Sequence, residues 1–266
     1  MGYAPQRIVS LQPSVTIILR DLGCLDALVG CTKYCAEFCP EVRQGNIAVV
    51  ADSWTAQAAQ IAALRPDLVI ASVPYQEKSI AEIMKSGARF LGFAPKWLAE
   101  IYGDIAILAG LMNLAERGCE IIRAMQEQIE SLRSETRELP KVRVFCEEWG
   151  KPLIASQPWV AELVEAAGGK FLGTPGAQIA PEEVEALAPE VCVAAWCGAG
   201  DRVPLARILQ QRRWDKIPAV KKRRVYCIRD EYLNTPAPSL ILGLRALAAA
   251  IHPEHFPLVE GVRRIE

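Results

Sequence analysis

Histidine is almost missing from this chain: two in 266 residues, His252 and His255, both in the segment His-Pro-Glu-His near the C-terminus. With none elsewhere, neither a histidine-rich zinc or manganese site nor a histidine-based hydrolase is expected. There is no apolar run long enough to span a bilayer. Nor is one charge in excess: 30 Lys and Arg stand against 31 Asp and Glu, which points away from disorder and from general nucleic-acid binding. The opening Met1-Gly-Tyr-Ala-Pro-Gln-Arg7 passes into the strand-like Arg7-Ile-Val-Ser-Leu11 without a basic-then-apolar leader or a lipid-attachment cysteine. The residues as given carry no export signal, which leaves two expectations: the cell envelope if a leader was trimmed, the cytoplasm if Met1 is the native start. Cysteine is not scarce. There are nine, an odd number scattered through apolar runs, which suits a reducing compartment.

What is present begins with a long stretch, Asn113 to Glu138, that has no proline and one interior glycine, Gly118. Ile122, Met125, Ile129, Leu132 and Thr136 recur at spacings of three and four, so they share one helical stripe. Charged residues fill the other faces. A helix of that length runs roughly 35–40 Å. Lying mid-chain, it reads as a strut joining two lobes, 1–112 and 139–266; the plainer alternative is a surface helix of a single α/β domain.

On either side, short apolar strands alternate with helices. Before the strut they are Ile8-Val-Ser-Leu11, Ala27-Leu-Val-Gly30, Leu68-Val-Ile-Ala71 and Arg89 to Phe93; after it, Arg143-Val-Phe-Cys146 and Val191 to Ala195. Between Cys31 and Asp52 the chain reads as irregular. Ser14 is placed to start a helix and Gly23 to stop it. This alternation predicts an α/β protein with two Rossmann-like lobes and mainly parallel sheets, joined by one long helix, with a ligand cleft between the lobes. One internal echo supports two related lobes. Ile61-Ala-Ala-Leu-Arg-Pro-Asp-Leu-Val-Ile-Ala71 matches Val184-Glu-Ala-Leu-Ala-Pro-Glu-Val-Cys-Val-Ala194 at a constant offset.

Ligand contacts in such folds come from loops at strand ends. Those loops hold Trp54, Trp149, Trp159 and Trp196 together with Tyr34, Tyr75 and Tyr232, the flat apolar surfaces that a large planar ligand requires. Any one of these tryptophans could equally be core packing. Asp230, Glu231 and Asn234 add polar partners on the last loop. No catalytic acid–base set stands out, and neither an enzyme nor a metal site is expected. Cys31, Cys35 and Cys39, four apart, match no CxxC or iron–sulfur spacing. Buried thiols are the ordinary reading, and a cysteine-based redox or metal protein is the competing one. Lys221-Lys-Arg-Arg224 reads as a solvated turn.

Arg7-Ile-Val-Ser-Leu-Gln-Pro-Ser14, Leu64-Arg-Pro-Asp-Leu-Val-Ile70, the strut and Arg224-Val-Tyr226 resemble the helical-backbone class of periplasmic substrate-binding proteins. Cys146-Glu-Glu-Trp-Gly-Lys-Pro-Leu153, Trp196-Cys-Gly198, Tyr232-Leu-Asn234 and Ile251-His-Pro-Glu254 look like its BtuF-like, cobalamin-binding group. The resemblance implies a bound corrinoid, with Trp54 over one face, Tyr34 near the ring, Asp230 at the amide-rich rim, and Trp149 and Trp196 from the second lobe. It also implies docking on an ABC transporter permease through one acid per lobe. Glu182 or Glu183 fits the second lobe, while the first reads Ala58-Ala59-Gln60 there and has no acid. A heme or ferric-siderophore binder, with Tyr34 as iron ligand, is the neighbouring alternative. The expected partners are therefore a small corrinoid and a permease, with no nucleic acid, no membrane insertion and a monomeric chain.

Overall fold

A computed structural model describes residues 4–73 and 76–265. The chain falls into two compact units: one runs to Ala124 and takes in Pro236–Pro238, the other holds Met125–Thr235 and the remainder from Ser239.

The first unit is built on five strands: β1 (Ile8–Ser10), β2 (Leu28–Thr32), β3 (Ala48–Val50), β4 (Leu68–Ser72) and β5 (Arg89–Phe93). They lie in the order β3-β2-β1-β4-β5, and every pairing is parallel. β1 and β4 are buried along their whole length, which is why they read as continuous apolar runs and not as alternating ones. Helix Pro13–Asp21 starts on a proline, whose missing N–H costs a first turn nothing. It stops at Gly23, which takes a positive φ of 78° while Cys24 N–H returns to the Leu19 carbonyl. The stretch 31–52, expected to be irregular, is ordered. Thr32 Oγ1 accepts from Cys35 N–H at 3.1 Å and starts helix Lys33–Phe38, and β3 follows.

The linking helix spans Ala115–Glu135, roughly 30 Å. It begins two residues later than the expected Asn113, which lies in the turn that ends the preceding helix, Leu98–Leu111, and it stops three residues short of the expected Glu138. Asn113 sits at φ 58° while Leu114 N–H bonds back to the Ala109 carbonyl. The buried stripe is Ile121, Met125, Ile129, Leu132 and Thr136, with Ile121 in the place assigned to Ile122. Its early turns belong to the first unit. Gly118 is pressed onto Ala109, where an added Cβ would lie 2.4 Å from the alanine methyl, and Arg117 Nε reaches the Asp21 carbonyl at 3.2 Å. Its later turns belong to the second, where Arg245 donates to Gln128 Oε1 and Thr136 Oγ1 donates to the Ala166 carbonyl.

The second unit holds β6 (Val142–Gly150), β7 (Leu153–Ala155), β8 (Gly169–Phe171), β9 (Val191–Ala194), β10 (Val225–Ile228) and β11 (Val262–Arg264). The order is β11-β10-β9-β6-β7, with β8 also paired to β6. β8, β6, β9 and β10 run parallel; β7 and β11 are antiparallel additions. On β11, Arg263 donates to the carbonyls of Asp201 and Val203, and Arg264 to those of Lys222 and Arg223. Among the described residues, no helix is long and apolar enough to cross a membrane.

Candidate functional site

Parallel strands deliver their C-terminal ends to one edge of a sheet, and the predicted loops follow those ends in each unit. In the first unit β1 leads to Gln12, β2 to Tyr34 and β3 to Trp54. Trp54 is 48% exposed and rides on a local turn: Asp52 Oδ1 accepts from the N–H groups of Trp54 and Thr55 and from Thr55 Oγ1, at 2.9–3.1 Å. Its neighbour Ser53 is buried and accepts from Gln12 Nε2 at 2.6 Å, so the β1 and β3 loops are tied by a neutral hydrogen bond. Tyr34 is half-buried, with Lys33 Nζ 4.8 Å from its ring centroid. Tyr75 lies outside the described residues.

In the second unit β6, β9 and β10 lead to Trp149, Trp196 and Asp230. Trp149 is 43% exposed on the hairpin joining β6 to β7, and its Nε1–H donates to the Lys151 carbonyl at 3.0 Å. Trp196 is half-buried, with Nε1–H donating to Glu147 Oε1 at 2.9 Å. Its ring lies on Gly150, where an added Cβ would come within 2.1–2.6 Å of three indole carbons. Glu147 is buried, and its other oxygen takes Arg212 Nη1 at 2.6 Å. Burial pushes this carboxyl above the usual range, against the pull of Arg212 and the Trp196 N–H. Beside it, burial drives Glu148 up to about 7, opposed by a 2.6 Å hydrogen bond from Gln157 Nε2.

The Asp230–Asn234 turn closes this rim. Asp230 is buried, and its two oxygens accept from Gly198 N–H and Gly200 N–H, each at 2.7 Å. It therefore shapes the Trp196–Gly200 loop, whose glycines both take positive φ. Asn234 Nδ2 donates to the Ala195 carbonyl at 2.6 Å and to Cys197 Sγ at 3.3 Å, which fixes the orientation of the amide. Its Oδ1 is shielded from solvent with no donor, and so is Glu231 Oε2, whose partner oxygen pairs with Arg229. Tyr232 packs against Gly261 and Arg229. Trp159 is 4% exposed and gives its N–H to the Leu233 carbonyl at 2.8 Å, so it braces this turn from inside the unit.

On helix Pro181–Leu187 both Glu182 and Glu183 are exposed, but Glu183 accepts from Ala180 N–H at 2.8 Å. In the first unit, helix Ala58–Ala63 takes its carboxylate from a neighbour: Ala58 N–H donates to Glu82 at 3.2 Å. Cys31, Cys35 and Cys39 are at most 1% exposed, with Thr32 Oγ1 on Cys35 Sγ and Cys39 Sγ on Glu41. All nine cysteines are free, and among the described residues no group of three or more His, Cys, Asp or Glu is disposed to hold a metal ion. Nothing local to Arg212 marks it, 65 residues from Glu147, as part of the Trp196 surroundings.

A family model described as periplasmic binding protein matches residues 8–232. The chain is 26% identical over 267 residues to a Vitamin B12-binding protein of Vibrio parahaemolyticus, covering 97% of this chain and 92% of that one. It is 25% identical over 268 residues to the ABC transporter substrate-binding lipoprotein YvrC of Bacillus subtilis, covering 95% and 82%. Among solved structures it resembles a periplasmic heme binding protein from Pseudomonas aeruginosa (TM-score 0.86, 21% identity, 98% of each chain). It also resembles the periplasmic vitamin B12 binding protein BtuF of Vibrio cholerae (TM-score 0.75, 22% identity, 96% and 99%). These two likenesses speak to the fold.

Proposed function

We propose, since this chain belongs to the periplasmic binding protein family, that it is a non-catalytic binding protein for a corrinoid, cobalamin or a precursor. The observation that carries the reading is the pair of acceptors left without donors on one turn, Asn234 Oδ1 and Glu231 Oε2. A buried acceptor without a donor is costly, and a ligand that supplies an N–H removes the cost once the side chain turns outward to meet it. The edge of a corrin carries primary amides, which donate; the edge of a heme carries carboxylates, which only accept. Glu148 adds a further carboxyl group in the same unit.

In this reading Trp54, Trp149 and Trp196 offer flat faces to the ring, with Tyr34 and Tyr232 contributing from their own units, while Asp230 and Trp159 hold the second-unit loops in place. Delivery is to an ABC transporter permease, with Glu182 as the exposed acid of the second unit, or the protein serves as a soluble carrier. The similarity to proteins named for vitamin B12 and for ABC transport favours the first route.

The test is an absorbance titration with cyanocobalamin, cobinamide and hemin in parallel. Corrinoids should bind in preference to hemin. Asn234→Leu should weaken corrinoid binding by about 5- to 100-fold, the cost of a desolvated amide N–H left unanswered, without strengthening hemin binding. A preference for hemin, or an Asn234→Leu variant with unaltered affinity, overturns the reading.

A further inference from the structure

The buried pair Glu147–Arg212 has no direct part in the contacts just described, yet both of its members touch the parts that carry them. The two side chains are only 5% and 10% exposed and meet at 2.6 Å. Burying two charges is seldom a net source of stability, because desolvation offsets most of the attraction; a well-packed apolar pair does as well or better. The network fixes geometry instead. Glu147 Oε1 holds the Trp196 indole N–H at 2.9 Å, and Arg212 Nη2 reaches the Gly150 carbonyl at 3.3 Å. The guanidinium itself is fixed over the Trp214 ring, 4.7 Å from its centroid. Gly150 is the residue on which the Trp196 ring lies, and it ends the strand that carries Trp149. A register shift between Glu147 and Trp149 breaks the strand's alternation there, so that Glu147 is buried while Trp149 is exposed.

We infer that Glu147 and Arg212 are positioning residues for ligand binding: together they set the angle of the Trp196 ring and lock it to the hairpin that bears Trp149. This rests on the proposed ligand site, although the positioning can be measured without any ligand. Removing both charges should leave the fold intact and the Trp196 ring free to turn. Replacing the Glu147 carboxylate by an amide, whose oxygen still accepts, should preserve the Trp196 bond.

The experiment uses the full chain labelled with 5-fluorotryptophan, with the Trp196 resonance assigned by Trp196→Phe. In the double variant Glu147→Met/Arg212→Met, the Trp196 ¹⁹F line should shift and broaden while the thermal midpoint stays close to that of the parent. Cyanocobalamin affinity should fall about tenfold, and adding Trp196→Phe should cost little more, since the effect passes through that ring. Glu147→Gln should restore the parent line position. A Trp196 line unmoved in the double variant, or an affinity loss that adds in full to that of Trp196→Phe, overturns the inference. If the parent protein binds hemin and no corrinoid, the ligand proposal fails, and the ¹⁹F arm alone decides the positioning role.

Discussion

The two units make the same junction in the same way and build their rims differently. At the junction a helix ends on a residue at positive φ, Arg65 at 47° and Ala188 at 48°, a proline follows, and then an acid opens the next strand. In the first unit Asp67 N–H bonds to the Arg7 carbonyl at 2.9 Å, and its carboxylate takes the N–H groups of Gln6 and Arg7. In the second, Glu190 N–H bonds to the Arg143 carbonyl at 2.8 Å, and its carboxylate takes the Arg143 N–H. The rims part company above this shared base. Trp54 is carried by a turn whose hydrogen bonds span two or three residues. Trp196 is held by Glu147, 49 residues before it in sequence, which is itself paired with Arg212, 65 residues farther along. The shared junction uses the same long-range bonds in both units, whereas one rim aromatic rides on a short-range turn and the other on long-range contacts.

The largest break in this comparison should come from Arg212→Ala. It leaves Glu147 buried without its counter-charge and should cost about 3–5 kcal/mol, read as a lowered midpoint in urea. Its first-unit counterpart, Asp52→Ala, removes only a local turn and should cost about 1 kcal/mol. A smaller contrast lies at the shared junction. Asp67→Ala gives up two backbone donors and should cost about 1–2 kcal/mol, against about 0.5–1 kcal/mol for Glu190→Ala, which gives up one. Equal losses would mean that the extra hydrogen bond of Asp67 contributes nothing.

The smallest effect concerns acid and turns on one buried histidine of the second unit. His252 is buried and its Nε2 has no partner; burial lowers its pKa, with Glu254 and Gly168 pulling the other way. The native state therefore resists the proton more than the unfolded chain does. Stability from this group is complete above about pH 6.5 and is lost as pH falls below it, by at most about 1.4 kcal/mol per pH unit. Between pH 7.5 and 5.5 the melting midpoint of the parent should fall relative to that of His252→Gln, since only the parent carries this group.

Much of the framework was legible because its signals are local. Apolar runs marked β1, β4, β6 and β9, Gly23 ended its helix as expected, and proline with acid marked both junctions. The linking helix was legible apart from its two ends: Asn113 has two roles open to it and takes the one that ends the preceding helix, and the last turn stops at Glu135 instead of Glu138. The three-residue strands β3, β7, β8 and β11 carry too few residues to show a period, and the Thr32 cap that orders helix Lys33–Phe38 is a single hydroxyl. At the rims, sequence order could bring Trp54, Trp149 and Trp196 to the strand ends. It could not show that Trp159 faces inward, that Asp230 is taken up by Gly198 and Gly200, or that Arg212 stands behind Glu147. Each depends on packing between residues far apart in the chain.

The arginines of β11 bear on how copies of this protein meet one another. An edge strand with vacant amides invites a neighbour's strand to add to the sheet, the first step toward cross-β stacking. Here the edge is three residues long, and Arg263 and Arg264 fold back onto carbonyls of their own unit. An approaching strand meets two guanidinium groups already engaged and positively charged, so crowded solutions of this protein should resist sheet-to-sheet aggregation along that border.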